Sequence, residues 1–258
     1  MIGRWAALVL LLLMPAIWVQ AVAFDHEHSV WTDLLQQHVT NDGGLSQVDY
    51  RALLDEEAKL SVYLESLSRV SHQEFAGWTE DQRRAFLINA YNGFTVKLVL
   101  DHLPVKSIKD IGGWFSSPWK KRFFQLLGDE RHLDDIEHGM IRKDFDEPRI
   151  HFAVNCAATG CPPLRAEAYV AARLDEQLED NTRRFLRDTR RNRYSATETR
   201  LELSAVMDWY RDDFSKNGQS LHNFVASRMG TTPSDAEAIG NRRVRIRFLD
   251  YDWSLNNR

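Results

Sequence analysis

The chain has two cysteines, Cys156 and Cys161, five positions apart, with His138 and His151 a short way upstream. A thiol becomes a strong nucleophile only as thiolate, so it needs a base or a positive field, and the base needs an orienting group. Cys156 is the candidate nucleophile and His138 the candidate base. His138 arrives on a separate segment, whereas the alternation of Ile150, Phe152 and Val154 predicts a strand that places His151 and Cys156 on opposite faces. Glu137 is a candidate through its place beside His138, although adjacent helical residues point about 100° apart. Asn89, Asn92 or Asp135 are the alternative orienting groups. The amides from Ala157 to Gly160 are candidates for holding an oxyanion, because Gly160 permits unusual backbone conformations. Together these residues spell thioester chemistry: amide hydrolysis or acyl transfer.

The same residues support two other readings. Cys156 and Cys161 are close enough in sequence to form a disulfide that pins the turn before Pro162-Pro163, leaving no nucleophile. His138, His151, Cys156 and Cys161 are also zinc-ligand types, but their spacing matches no compact zinc module. Neither a metal nor another cofactor is expected. A third class is non-enzymatic. Trp114 and Trp119 lie in an aromatic loop that can line a binding groove, with His151 and Asn92 as polar neighbours. Its ligand would be a small molecule, a peptide or a glycan.

The first residues look like a leader. Arg4 precedes an apolar run, and Ala21-Val22-Ala23 fits the small-x-small rule for cleavage before Phe24. Removing residues 1–23 takes the formal charge from -4 to -5. The expected destination is the periplasm or the outside of the cell, where a disulfide can form and persist. No later apolar run is long enough to span a bilayer, so no membrane association is expected after cleavage. The acidic balance gives no footprint for nucleic acid. A mature terminus Phe24-Asp25-His26-Glu27-His28 has the nitrogen donors for a square-planar copper or nickel site.

The elements that must position these groups follow from periodicity and capping. Helices are expected at 30–39 and within 48–70, and at 81–103, where Thr79-x-x-Gln82 forms a capping box. The 81–103 helix is apolar on nearly every face, so it is expected to be central, with Asn89 and Asn92 at core depth. Hairpins are expected at 123–133 and 194–203, and helices at 133–143, 166–189, 205–214 and 221–229. A closing strand is expected around Val244, Ile246 and Phe248. No linker or repeat divides the chain. The expectation is a single helix-rich α+β domain over residues 24–258, with a small antiparallel sheet.

Several segments resemble the family DUF547. They are Phe86-Leu87-Ile88-Asn89-Ala90-Tyr91-Asn92, the run Leu133 to Arg142, the run His151 to Cys156 leading to Cys161-Pro162-Pro163, and Trp209 to Phe214. Leu87 stands where that family more often has tryptophan. The resemblance extends over roughly residues 30–230 and implies no defined activity. The architecture it implies is similar to papain-like or transglutaminase-like cysteine enzymes.

Overall fold

In the computed structural model, residues 23–258 are described, apart from 114, 115, 217 and 231. Helix α1 (Ser29–His38) leads into a hairpin of β1 (Val39–Asp42) and β2 (Leu45–Val48). Then come α2 (Tyr50–Asp55), α3 (Glu57–Arg69), α4 (His72–Ala76) and α5 (Glu80–Leu100). The Thr79–Gln82 capping box is complete, each side chain bonding the other's backbone N–H. Such a cap is worth about 1 kcal/mol. Fifteen residues of α5 are buried, Ala85 to Val96 without a break, so the first hydrophobic cluster wraps it from all sides.

The hairpin of β3 (Phe124–Leu126) and β4 (Asp129–Arg131) turns through Leu127 and Gly128, both at positive φ. Next the chain makes a wide turn of π type at Asp135–Ile141, which runs into α6 (Arg142–Asp144). Widened helical turns of this kind recur at functional sites because they re-aim side chains. The predicted strand around Ile150 is not formed. Pro148–Phe152 is a 3-10 helix, started by Pro148 at its first turn and capped by the Glu147 carboxylate on the Arg149 amide. The odd-and-even argument about His151 and Cys156 therefore does not apply.

Helix α7 (Leu174–Leu186) is shorter than the predicted 166–189. Ahead of it come a 3-10 turn at Ala171–Arg173 and, before that, a segment held by side chains: Gln177 bonds the Val170 amide and the Ala168 carbonyl, and Asn89 bonds both backbone groups of Tyr169. The last part comprises β5 (Arg193–Ser195), β6 (Arg200–Ser204), α8 (Val206–Trp209), α9 (Leu221–Met229), α10 (Pro233–Gly240) and β7 (Arg245–Leu249). The α+β class holds. The sheets are small: β1–β2, β3–β4 and β5–β6 pair antiparallel, whereas β6 and β7 run parallel. Parallel neighbours need a long crossover, and α8 to α10 supply it. These helices build a second hydrophobic cluster around Met207, Phe214, Phe224 and Val225.

The 3-10 helix at 148–152 spans the two clusters, with Ile150 in the first and Phe152 in the second. After β7 the chain returns across both. Thr159 and Gly160 donate to the carbonyls of Ser254 and Asp252, Asn256 donates to Ala157, and Leu255 donates to Lys106. A Cβ at Gly160 would lie 2.9 Å from both the Asp252 carbonyl oxygen and a Tyr251 ring carbon. Glycine is required there by close approach. Gly160→Ala is expected to lower stability by about 1–3 kcal/mol, as overpacking does. Denaturant unfolding of both proteins measures this, and equal midpoints would show that the 251–256 segment is not tightly seated.

Candidate functional site

Cys156 and Cys161 form a disulfide, with Cα atoms 6.1 Å apart, and they are the only cysteines in the chain. The Cys156 amide donates to the Cys161 sulfur at 2.9 Å. The Tyr251 hydroxyl lies 3.1 Å from each sulfur, and with no S–H present it is the donor, its single proton shared between the two. Cys161 is buried, while Cys156 retains partial exposure.

The loop has no regular structure, so its polar groups find other partners. Asn92 accepts from the Asn155 amide and donates to the Ala153 carbonyl. Asn155 accepts from the Ala157 amide and donates to the Pro162 carbonyl. Arg191 donates to the carbonyls of Thr159, Cys161 and Gly44. The amides expected to hold an oxyanion are mostly engaged: Ala157 by Asn155, Thr159 by Ser254 and Gly160 by Asp252. Asn89 likewise has both polar atoms on Tyr169, and so serves the backbone rather than a histidine.

The histidines lie in a separate network. His151 is buried, stacked on the Tyr210 ring at 3.7 Å, and its Nε2–H donates to Asp213 Oδ2 at 2.7 Å. Arg142 Nε donates to the same oxygen at 2.7 Å, and Arg142 Nη1 donates to His138 Nδ1 at 3.1 Å. His138 therefore faces Arg142 at the surface, with its Nε2 4.0 Å from Asp134. Glu137 points the other way, into the protein, where the Tyr210 hydroxyl donates to it at 2.5 Å. That inward and outward division is what adjacent helical positions impose. Asp135 is turned to His132 rather than to His138.

Burial pushes the His151 imidazole below its ordinary range, against the raising effect of Asp213. The bond from His151, and then that from Arg142, hold the Asp213 carboxyl far below the usual carboxylate range. The consistent state is neutral His151 with its proton on Nε2 and ionised Asp213. His151 Nδ1 is then left buried without a partner. Burial followed by the Glu137 charge pushes the Tyr210 hydroxyl up, and the same causes act on Tyr91.

A group of rings surrounds the disulfide's tyrosine. Tyr251 lies 4.8 Å from Trp209 and 4.5 Å from Trp253, and Trp209 stacks on Trp253 at 5.7 Å with a 22° tilt. Trp119 meets the edge of Trp253 at 5.7 Å, and the Lys109 ammonium sits 3.5 Å over the Trp253 ring. Trp209 is 48% exposed. Trp119 is thus linked to Tyr251 through Trp253. Trp114 falls outside the described residues. The expected residues separate into three groups: the disulfide with Tyr251, the buried Glu137–His151 network, and the ring group that includes Trp119. Among the described residues, no three or more His, Cys, Asp or Glu side chains are grouped to hold a metal ion. His28 is buried, its Nδ1 bonded to the Tyr63 hydroxyl at 2.8 Å, and burial holds its imidazole down to about 3. His26 packs on Trp78 at 4.5 Å.

Residues 75–186 match the model of a family described as "Protein of unknown function, DUF547". Over this stretch the chain is similar to that family. The DUF547 stretch contains α5, the wide turn, the disulfide loop and α7, and it ends before Tyr210, Asp213 and Tyr251. The Trp209–Phe214 motif therefore lies outside the matched residues. No curated protein and no solved structure matches the chain.

Sequence reasoning missed Arg142, Asp213 and Tyr251 as partners of the site. Asp213 and Arg142 sit inside quoted motifs, so their positions were marked but their bonds were not. Tyr251 had no signal beyond the alternation of aromatics at 251 and 253. One pH effect follows. The unfolded chain protonates His151 near pH 6.5, whereas the folded chain resists protonation because the group is buried. The unfolded state therefore binds more protons below that pH, and stability falls as pH drops from 7 to 5. Denaturant midpoints at the two pH values are expected to differ less in His151→Gln than in the wild type. An unchanged difference would remove His151 as the cause.

Proposed function

We propose that this chain is an exported ligand-binding domain whose ligand lies on the tryptophans beside the Cys156–Cys161 loop. The observation that carries this reading is the exposed Trp209 stacked on Trp253 and packed against Tyr251, whose hydroxyl reaches the disulfide. Flat apolar rings with polar edges accept sugar rings or the faces of peptide side chains with little loss of conformational freedom. Export is supported by the leader-like first 23 residues and by the disulfide. Among the described residues, no helix is long and apolar enough to cross a membrane.

A cysteine-dependent amide hydrolase or acyl transferase, with Cys156 as nucleophile and His138 as base, is the weaker reading. Its one favourable observation is the partial exposure of Cys156 with the Tyr251 hydroxyl at its sulfur. Against it stand the disulfide, the engaged loop amides and the bonding of His138 to Arg142. A thiol-directed acyl probe is expected to leave the oxidised chain unlabelled, and labelling of Cys156 without reductant would reverse this ranking.

The binding reading is tested with a panel of soluble oligosaccharides and of proline- and aromatic-containing peptides, using titration calorimetry. Trp209→Ala is expected to weaken any binding by roughly tenfold, since a stacked ring contributes about 0.5–1.5 kcal/mol beyond its buried area. The melting temperature should barely change, because Trp209 is half exposed. Binding that survives Trp209→Ala and Trp253→Ala unchanged would place the ligand elsewhere.

A further inference from the structure

We propose that the Cys156–Cys161 pair is a redox-active site that exchanges with an external dithiol, which attacks Cys156 and releases Cys161. This goes beyond ligand binding and holds whether or not the tryptophans bind anything. Three observations carry it. The two cysteines differ in access: Cys156 is partly exposed, whereas Cys161 is 3% exposed. Their sulfurs also differ in donors. Cys161 Sγ faces both the Cys156 amide at 2.9 Å and the Tyr251 hydroxyl at 3.1 Å, while Cys156 Sγ has the hydroxyl alone. Finally, the half-buried Arg191 guanidinium, ion-paired with Asp188, donates to the Cys161 and Thr159 carbonyls and so fixes the backbone on either side of the buried sulfur.

Thiol–disulfide exchange favours attack on the accessible sulfur and departure of the sulfur whose thiolate is better stabilised. Hydrogen bonds to an ionised acceptor are roughly twice as strong as neutral ones, so donors already aimed at Cys161 Sγ strengthen as its charge develops. A thiolate of the dithiol forms a bond to Cys156 Sγ, the S–S bond breaks, and its electron pair goes to Cys161 Sγ. The second thiol of the reagent, deprotonated, attacks the mixed disulfide at the reagent's own sulfur and expels the Cys156 thiolate. The two cysteine thiolates take up the two protons that the reagent gave up. The dithiol is oxidised by two electrons and the protein pair is reduced.

The consequence reaches the rings, because Tyr251 is both the donor to the sulfurs and a neighbour of Trp209 and Trp253. Reduction is therefore expected to change tryptophan fluorescence without any ligand.

The test uses the purified, oxidised full chain. Incubation with glutathione, acid quench, alkylation and peptide mapping is expected to place the glutathione adduct on Cys156 at least tenfold more often than on Cys161. With dithiothreitol, the folded chain is expected to be reduced within minutes with a change in fluorescence. Tyr251→Phe, checked for folding by circular dichroism, is expected to be reduced about tenfold more slowly, as the loss of one bond to a charged group implies. A folded chain that resists dithiothreitol for hours would make the disulfide a staple and overturn the proposal. So would an adduct on Cys161, an even split, or reduction of Tyr251→Phe at or above the wild-type rate. If Tyr251→Phe does not fold, the adduct position on the wild type decides alone.

Discussion

The whole arrangement depends on how a buried loop without helix or strand satisfies its backbone. Between Ala153 and Cys161 the chain lies at core depth except at Cys156 and Thr159, and each unpaired buried amide or carbonyl costs about 1–3 kcal/mol. Asn92 from the central helix, Asn155 from the loop itself, Arg191 from beyond α7 and the 252–256 segment each supply partners. Three of these come from parts of the sequence distant from the loop. The loop gains all its partners only when these three have assembled around it, which ties its geometry to completion of the fold.

A second network performs the equivalent task for charge. Arg142, Asp213, His151, Tyr210 and Glu137 join the wide turn and the 3-10 helix to the segment following α8. Asp213 is ionised because two donors converge on one oxygen, and His151 is neutral because it is buried. Such a network fixes the relative placement of the two hydrophobic clusters. It also explains why His138, which looked like a base from its sequence neighbours, is instead bonded to Arg142 at the rim.

The disulfide and the rings share one residue, Tyr251, and that sharing gives the site its character. Its hydroxyl is held at the sulfurs while its ring packs on Trp209 and Trp253. The ring group draws Trp119, Trp209 and Trp253 from three separate segments, and all but Trp119 lie outside the 75–186 family match. Whatever members of this family have in common, the ring surface is completed here by the C-terminal part of the chain.

Much of the frame was legible in the sequence. The Thr79–Gln82 box, the all-round apolar character of α5, the hairpin within 123–133 and the core depth of Asn89 and Asn92 follow from local rules of capping, periodicity and turn chemistry. The choice between staple and nucleophile for Cys156 and Cys161 was posed by their spacing but not decided by it. Three things needed the tertiary structure. Pro148 and the Glu147 cap make a 3-10 helix where alternation alone reads as a strand. The β6–β7 pairing is parallel because three helices intervene. Tyr251 reaches the sulfurs only because a Cβ is absent at Gly160, ninety-one positions earlier. Periodicity records how a residue sits on its own element, whereas this site is made by contacts between elements far apart in the chain, which no local pattern encodes.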